Sequence, residues 1–278
     1  TAPTLPAWLT LTDNGDGTAT LSGTPTNAEV GNHAVSLQVS DGSLSATQNF
    51  TLTVSNTNDA PTITSDGGGA SANLNAAENQ TAVTTVTATD ADVGDTLSYS
   101  IAGGADAARF SIDGSTGVLT FNAAPNFEAP TDVGGDNIYD VTVQVSDGTT
   151  TDTQAIAVTV TNVNEAPTLI SLSNNTIAEN TDTSSGTSIG TLSTTDPDSG
   201  DSTSYTIVGG ADQAKFSVGG AGSDELILTD GVLDFETQSS YAVTVRITDG
   251  GGLTRDESFT LSVTDQNEAP SFVSSAVT

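Results

Sequence analysis

Three segments of this chain are nearly identical, and their spacing limits what it can fold into. They read VSNTNDAPT from Val54, VTNVNEAPT from Val160 and VTDQNEAPS from Val263. Their prolines, Pro61, Pro167 and Pro270, lie 106 and 103 residues apart. A period of this length is one small domain, so the chain reads as a tandem array, not one core. Other pairs keep the same phase: AEN at Ala77–Asn79 and Ala178–Asn180, and a TD-x-D-x-GD box at Asp90/Asp92/Asp95 and Asp196/Asp198/Asp201. An S/T-D-G turn recurs at Asp41, Asp147 and Asp249. The boundaries expected are residues 1–60, 61–166, 167–269 and the start of a further repeat at 270–278. The first of these is about half a repeat: it lacks an AEN strand and a TD-x-D box.

Within each period the pattern alternates with a step of two. YDVTVQVSDG puts Val141, Val143 and Val145 on one face, and YAVTVRITDG does the same with Val243, Val245 and Ile247. One apolar and one wet face is what a two-layer antiparallel sandwich needs, and Asp-Gly steps supply its turns. No stretch has helical periodicity; ADAARF and ADQAKF allow one turn each. The expected fold is all-β: tandem antiparallel sandwiches of immunoglobulin-like size, roughly seven strands per ~100 residues, in an extended string.

Charge removes several functions. Asp and Glu number 35 against 4 Lys and Arg, a net charge of −31. Binding phosphates needs clustered cations, so nucleic acid is not a partner, and an anionic membrane surface is repelled. There is no cysteine to cross-link the domains. No methionine opens the chain, and no apolar run reaches the ~18 residues of a membrane span, so we read an internal part of a larger protein with no direct membrane insertion. With a single histidine, His33, and no cysteine, acyl transfer has little to work with, although Gly186–Gly190 spells G-x-S-x-G. Paired carboxylates for glycoside hydrolysis are absorbed by the repeat. The chain is not expected to be an enzyme.

The acids sit at recurring places: an early strand, a mid-domain loop, a linker and two loops of the following domain. Calcium takes six to eight oxygen ligands from carboxylates, amides, backbone carbonyls and water. At a head-to-tail joint between sandwiches, those five places would converge. Asp95 and Asp201 read equally well as turn residues. Asp13-Asn14-Gly15-Asp16-Gly17 reads as a hairpin turn, since it lacks the distal glutamate of a calcium loop. Trp8, Phe110, Phe127, Phe216, Tyr139 and Tyr241 read as core, with Trp8 a sugar-stacking residue if it is exposed.

On these motifs the chain resembles the cadherins and the bacterial cadherin-like repeats of long RTX-type adhesins. The resemblance implies that Glu78 and Glu179 are the early-strand glutamates. It implies that Asn126-Phe127-Glu128 and Asp234-Phe235-Glu236 are the mid-domain acidic triplets, with Glu128, Asp234 and Glu236 as ligands. The linkers are then Asn56/Asn58/Asp59, Asn162/Asn164/Glu165 and Asp265/Asn267/Glu268. The paired aspartates are Asp90/Asp92 and Asp196/Asp198, and the late-strand ones Asp147 and Asp249. The segment LPAWLTL…LSGTPTNAEVG resembles the dystroglycan-type variant, where Glu29 takes the mid-domain role. Two linkers carry Glu for Asp, and all are one residue shorter than the animal pattern, which implies fewer ions per joint. Occupancy is expected to be greatest between the second and third domains, then between the first and second, then at the C-terminal half site.

The function expected is a calcium-rigidified extender or adhesive region of a large extracellular bacterial adhesin, at the cell surface or secreted. Calcium ions and neighbouring repeats are the partners expected, with another adhesin or a glycan as a further one. The alternative is a glycan- or protein-binding module of a secreted multidomain protein, which an aromatic platform or deep pocket would favour.

Overall fold

The computed structural model describes residues 1–269, so Pro270 and the rest of 270–278 lie outside the described residues. The first region holds four strands: β1 (Leu9–Asp13), β2 (Ala19–Gly23), β3 (Gly31–Ser40) and β4 (Ser45–Val54). Among the described residues each hairpin is two-stranded, β1 with β2 and β3 with β4. The Asp13–Gly17 run is the turn of the first hairpin, closed by the Asn14 N–H donating to Thr18 O at 3.0 Å. Leu9 and Val35 are the buried apolar side chains of this region. Trp8 is half-buried, edge-on to His33 at 5.5 Å.

The second region continues with β5 (Thr62–Ile63), β6 (Ser71–Ala77), β7 (Ala82–Thr85), β8 (Ala88–Thr89) and β9 (Ser98–Gly103). It ends with β10 (Phe110–Ile112), β11 (Val118–Phe121), β12 (Ile138–Ser146) and β13 (Thr151–Thr161). One sheet runs β6-β13-β12-β9 and its partner β10-β11-β7, with β5 paired to β8. The last stretch of chain carries β14 (Leu169–Leu172), β15 (Thr176–Ala178), β16 (Thr187–Thr195), β17 (Ser204–Gly209), β18 (Phe216–Gly219), β19 (Glu225–Leu228), β20 (Ser240–Thr248) and β21 (Thr254–Thr264). Its sheets are β14-β16-β19-β18 and β15-β21-β20-β17. The chain divides into two compact units, Thr1–Thr161 and Asn162–Thr278.

The alternation places the core where period two requires it. Val141, Val143 and Val145 are at most 1% exposed, as are Val243, Val245 and Ile247. Each such side chain contributes about 1.5–3 kcal/mol on burial, an upper figure because denatured chains are partly collapsed. Phe110, Phe216, Tyr139 and Tyr241 are buried in these cores, and Phe127 packs against the first at partial burial. The ADAARF and ADQAKF segments each make a single 3-10 turn, Ala107–Arg109 and Gln213–Lys215. Ser188 lies on strand β16, not at a strand-to-helix elbow. Among the described residues no helix is long and apolar enough to cross a membrane.

Both cores share one departure from antiparallel pairing. Strand β6 runs parallel to β13 over seven register pairs, and β15 parallel to β21 over three. Parallel neighbours cannot be joined by a tight turn, and each of these pairs starts from the same end of its sandwich, an early strand beside the last one. In the second unit that places the residues just after β15 beside the residues just after β21, where acidic motifs lie.

Candidate metal centre

The AEN motif has two structural jobs. Its asparagines, Asn79 and Asn180, occupy left-handed backbone at φ 62° and 58°, a region asparagine tolerates better than most residues. That turn leaves Glu78 and Glu179 pointing inward at 2% and 3% exposure. Glu78 Oε2 accepts the Phe127 N–H at 2.8 Å, and Glu179 Oε2 accepts the Phe235 N–H at 2.9 Å. Each glutamate therefore ties the mid-domain triplet to the early strand. Glu179 Oε1 also accepts the Gln266 N–H, fixing the segment after β21.

In the second unit, carboxylate oxygens of Glu179, Asp234 and Glu236 lie within 4.8 Å of one another. Asp265, Asn267 and Glu268 are exposed beside β21's end, with Glu268 Oε1 accepting from Asn180 Nδ2 at 3.1 Å. In the first unit Glu128 is half-buried in the triplet loop next to Phe127.

At the other end of each sandwich, the paired aspartates hold the linker. The Asp59 N–H donates to Asp92 Oδ2 at 2.7 Å, while the Asp92 N–H donates to Asp90 Oδ1 at 2.9 Å. The second unit repeats both bonds: Glu165 N–H to Asp198 Oδ2 at 2.6 Å, and Asp198 N–H to Asp196 Oδ1 at 3.0 Å. The linker asparagines face the late-strand aspartates. Asn58 Nδ2 donates to Asp147 Oδ2 at 2.9 Å, and Asn164 Nδ2 to Asp249 Oδ2 at 3.0 Å. Asp90, Asp95 and Asp147 bring oxygens within 4.8 Å of one another. Asp201 Oδ2 sits over the Gly250 backbone of the Asp249 loop. Asn56 and Asn162 are exposed on their linkers.

In the first region the structure brings a residue that sequence reasoning did not select. Glu29 Oε2 accepts from the Thr26 N–H at 2.7 Å and the Thr26 hydroxyl at 2.6 Å, closing its own 3-10 turn. Asn27, two residues earlier, reaches the cluster instead: its Nδ2 lies 2.6 Å from Asp59 Oδ2 and 3.2 Å from Asp92 Oδ1. No second repeat aligns with this half-domain, so nothing in the sequence pointed to Asn27. Asp106 was missed as well. It is 3% exposed and accepts the Val133 and Asp140 N–H groups at 2.8 and 2.9 Å. Its signal was present, since GGAD recurs at Gly103–Asp106 and Gly209–Asp212.

The electrostatics of the cluster show the cost of crowding like charges. Burial raises the Asp95 carboxyl, and the charges of Asp90, Asp92 and Asp147 raise it further. Burial likewise raises Asp196, with Asp198, Asp249 and Asp201 adding to it against a backbone hydrogen bond from Asp198. Glu236 is drawn down most by its own backbone N–H, yet burial and the charges of Glu179, Glu268 and Asp265 raise it on balance. Asp147 is driven far below the usual range by the Thr150 hydroxyl, the Thr150 N–H and the Asn58 amide. Burial pushes Asp249 up, but the Asn164 amide and the Leu253, Gly252 and Gly251 N–H groups outweigh it.

Three carboxylate oxygens, Asp90 Oδ2, Asp196 Oδ2 and Asp198 Oδ1, are buried with no hydrogen-bond donor among the described residues. Leaving such an oxygen unsatisfied costs several kcal/mol unless a positive charge meets it. No side-chain cation does: the ion pairs among the described residues join Lys215 to Asp230, Arg246 to Asp256 and Arg255 to Glu257. Hard, anionic oxygens with amide oxygens in reach are the donor set of a calcium ion. Rotating the Asn58 or Asn164 amide by half a turn exchanges its donor for a carbonyl oxygen, completing that set. The residues present fit the ion.

Two-sheet sandwiches with a parallel strand pair at one edge, and acidic oxygens clustered at their ends, define a class of tandem β-sandwich repeat. The cadherin-domain family model matches residues 71–163 and 174–264, well over half of the sequence, and the chain belongs to the cadherin family. A different model, an Ig domain, matches residues 1–55. Among curated proteins the chain is 29% identical over 243 residues to human Cadherin EGF LAG seven-pass G-type receptor 2, covering 86% of this chain and 8% of that protein. It is 30% identical over 207 residues to the Drosophila melanogaster Protocadherin-like wing polarity protein stan, covering 70% of this chain and 6% of that protein. The chain thus spans under a tenth of these relatives' length. The solved structure of PcdhgB3 EC1-4 aligns with a TM-score of 0.58 at 25% identity, over 93% of this chain and 64% of that one. Protocadherin Gamma B2 extracellular cadherin domains 3-6 align with a TM-score of 0.57 at 21% identity, over 95% and 66%, and share the fold.

Proposed function

We propose that this chain is the calcium-rigidified extender or adhesive region of a large extracellular adhesin, and that it works in cell-surface attachment or cell–cell adhesion. The observation that carries the reading is the set of buried, donorless oxygens on Asp90, Asp196 and Asp198, repeated at the same motif in two successive repeats. Bound calcium supplies the positive charge those oxygens lack. The chain's own residues do the rest. Asp92 and Asp198 hold the linker backbone, Asp147 and Asp249 orient the linker asparagines, and Glu78 and Glu179 hold the triplet loops. The domain limits at about 60, 166 and 269 belong to the same reading.

A bacterial, RTX-type parent is the finer form of the proposal. Its support is compositional: no cysteine, 4 Lys and Arg among 278 residues, and short Asp/Asn/Glu linkers. Calorimetric titration of the full chain with calcium tests the core of the proposal, with Asp90→Asn and Asp196→Asn as variants. Saturable binding weakened by either change supports it. Binding indifferent to both would reduce the acids to a solvated surface. Antibody labelling of intact source cells tests the location.

A further inference from the structure

A cavity of about 270 Å³ opens in the first unit beside Arg109, walled by Ala123, Pro125, Asn126 and Thr131, with the buried Tyr139 beneath. The second unit builds the same frame around a carboxylate. Lys215 ends the 3-10 turn there as Arg109 does in the first, and Tyr241 takes the place of Tyr139. Asp230 Oδ2 accepts from Lys215 Nζ at 2.8 Å and from the Tyr241 hydroxyl at 2.6 Å, closing the frame with an internal carboxylate.

The backbone makes the correspondence exact to the residue. The Thr229 N–H donates to Lys215 O at 2.8 Å, and Asp230 follows Thr229. The Asn122 N–H donates to Arg109 O at 2.8 Å, and Ala123 follows Asn122. A methyl group therefore stands where the second unit has a carboxylate. Arg109 is exposed and forms no ion pair among the described residues. The Tyr139 hydroxyl accepts the Thr131 N–H at 3.1 Å, and among the described residues its own proton has only Thr131 Oγ1 at 3.4 Å, too long for a strong bond. Asn126 spends its Oδ1 on the Ala129 N–H at 2.7 Å, which leaves its amide nitrogen to donate. Donors surround this cavity and the acceptor that completes its twin is missing.

We propose that the cavity binds a small monocarboxylate of sugar-acid type, whose carboxylate takes the position that Asp230 holds in the second unit. The guanidinium and the phenol are its charge and hydrogen-bond partners. At about 270 Å³ the space is just under the usual ~300–1,000 Å³ of ligand sites, which suits one monosaccharide-sized acid. An acidic side chain from another protein would fill only part of it. It would also bring further polypeptide against a chain of net charge −31.

The test is amide NMR of the full chain, titrated at fixed ionic strength with glucuronate, glucose and N-acetylglutamate. Glucuronate should give saturable shifts at Arg109 and Thr131 with a Kd of ~1 mM, and glucose should bind at least about tenfold more weakly. Ala123→Asp supplies the carboxylate internally and should weaken glucuronate at least about tenfold, as should Arg109→Gln, while Ala123→Asn should keep the site. Ala123→Asp should also raise the melting temperature, a readout that needs no ligand. No saturable shift with glucuronate, equal binding of glucose, or wild-type affinity in Ala123→Asp overturns the proposal. Tighter binding of N-acetylglutamate than glucuronate reassigns the cavity to an acidic peptide and overturns the sugar-acid form.

Discussion

The Glu165 N–H donates to Asp198 Oδ2 at 2.6 Å, so the linker is anchored by an aspartate 33 positions further along the chain. Asp59 and Asp92 stand in the same relation at 2.7 Å. One carboxylate thus does two jobs: one oxygen holds backbone, and the other, Asp198 Oδ1, has no donor.

The two jobs come apart by mutation. Asp198→Asn keeps an oxygen for the Glu165 N–H and loses the charge, so calcium affinity should fall at least about tenfold while stability in chelator is preserved. Asp198→Ala loses both, and should cost a further ~1.5–3 kcal/mol in chelator, the worth of a hydrogen bond to a charged group. Calorimetry and urea unfolding measure the two effects separately. Equal behaviour of the variants would mean that Asp198 serves only one role.

Calcium should stabilise the fold more than magnesium at equal ionic strength. At ten times the dissociation constant each site adds about 1.4 kcal/mol, and magnesium's stricter octahedral geometry suits these spread-out oxygens poorly. Melting curves decide it, with Asp140→Asn as a charge control, since Asp140 is exposed outside the motifs. Asp152 is unsuitable for that purpose, because its Oδ2 accepts the Ile63 N–H at 2.9 Å. Equal gains from both ions would indicate screening alone.

Asp230 gives a pH prediction with a fixed sign. Burial opposes its charge, but the Lys215 ammonium and the Tyr241 hydroxyl overcome this and hold its carboxyl below the ordinary 3.8. The unfolded chain therefore takes up this proton first. The stabilisation is complete above the ordinary carboxylate range and is lost as pH falls through the lower folded value. The stability gap between wild type and Asp230→Asn should be larger at pH 7 than at pH 2.5, measured by urea unfolding. A gap that grows with acid would contradict it.

Gly210 should not tolerate a side chain. It sits at φ 100°, and a Cβ there would lie 2.4 Å from Ala242 O and 2.5 Å from Val243 Cα, both backbone atoms. Gly210→Ala should cost about 2–4 kcal/mol, from strained φ/ψ and steric displacement of β20. Gly250→Ala, whose Cβ would meet the Ser202 hydroxyl at 3.1 Å, should cost far less. Urea midpoints for the two variants provide the comparison.

Much of this fold was legible because its signals are local. Val141, Val143, Val145 and their counterparts on β20 announce a strand by period alone, and the repeat fixes where each sandwich starts over. What was not legible depends on contacts across the fold. Nothing in AEN shows that Glu179 grips both Phe235 and Gln266, because those partners lie 56 and 87 residues away. The motif acids could be found by comparing two repeats. Asn27 could not, since it lies in a half-domain with no second copy. The cavity at Arg109 was invisible for a related reason: it is defined by one missing carboxylate at Ala123, which appears only when the hydrogen-bond ladders of the two repeats are matched.

The parallel pairing of β6 with β13 has a mechanical meaning. Tension between the start and the end of a sandwich pulls these two neighbours along their length in opposite directions. Their hydrogen bonds are loaded side by side, in shear, and must yield together instead of unzipping from one end. The second domain has seven register pairs in this clamp and the third has three. On this clamp alone, the third domain should yield at the lower load.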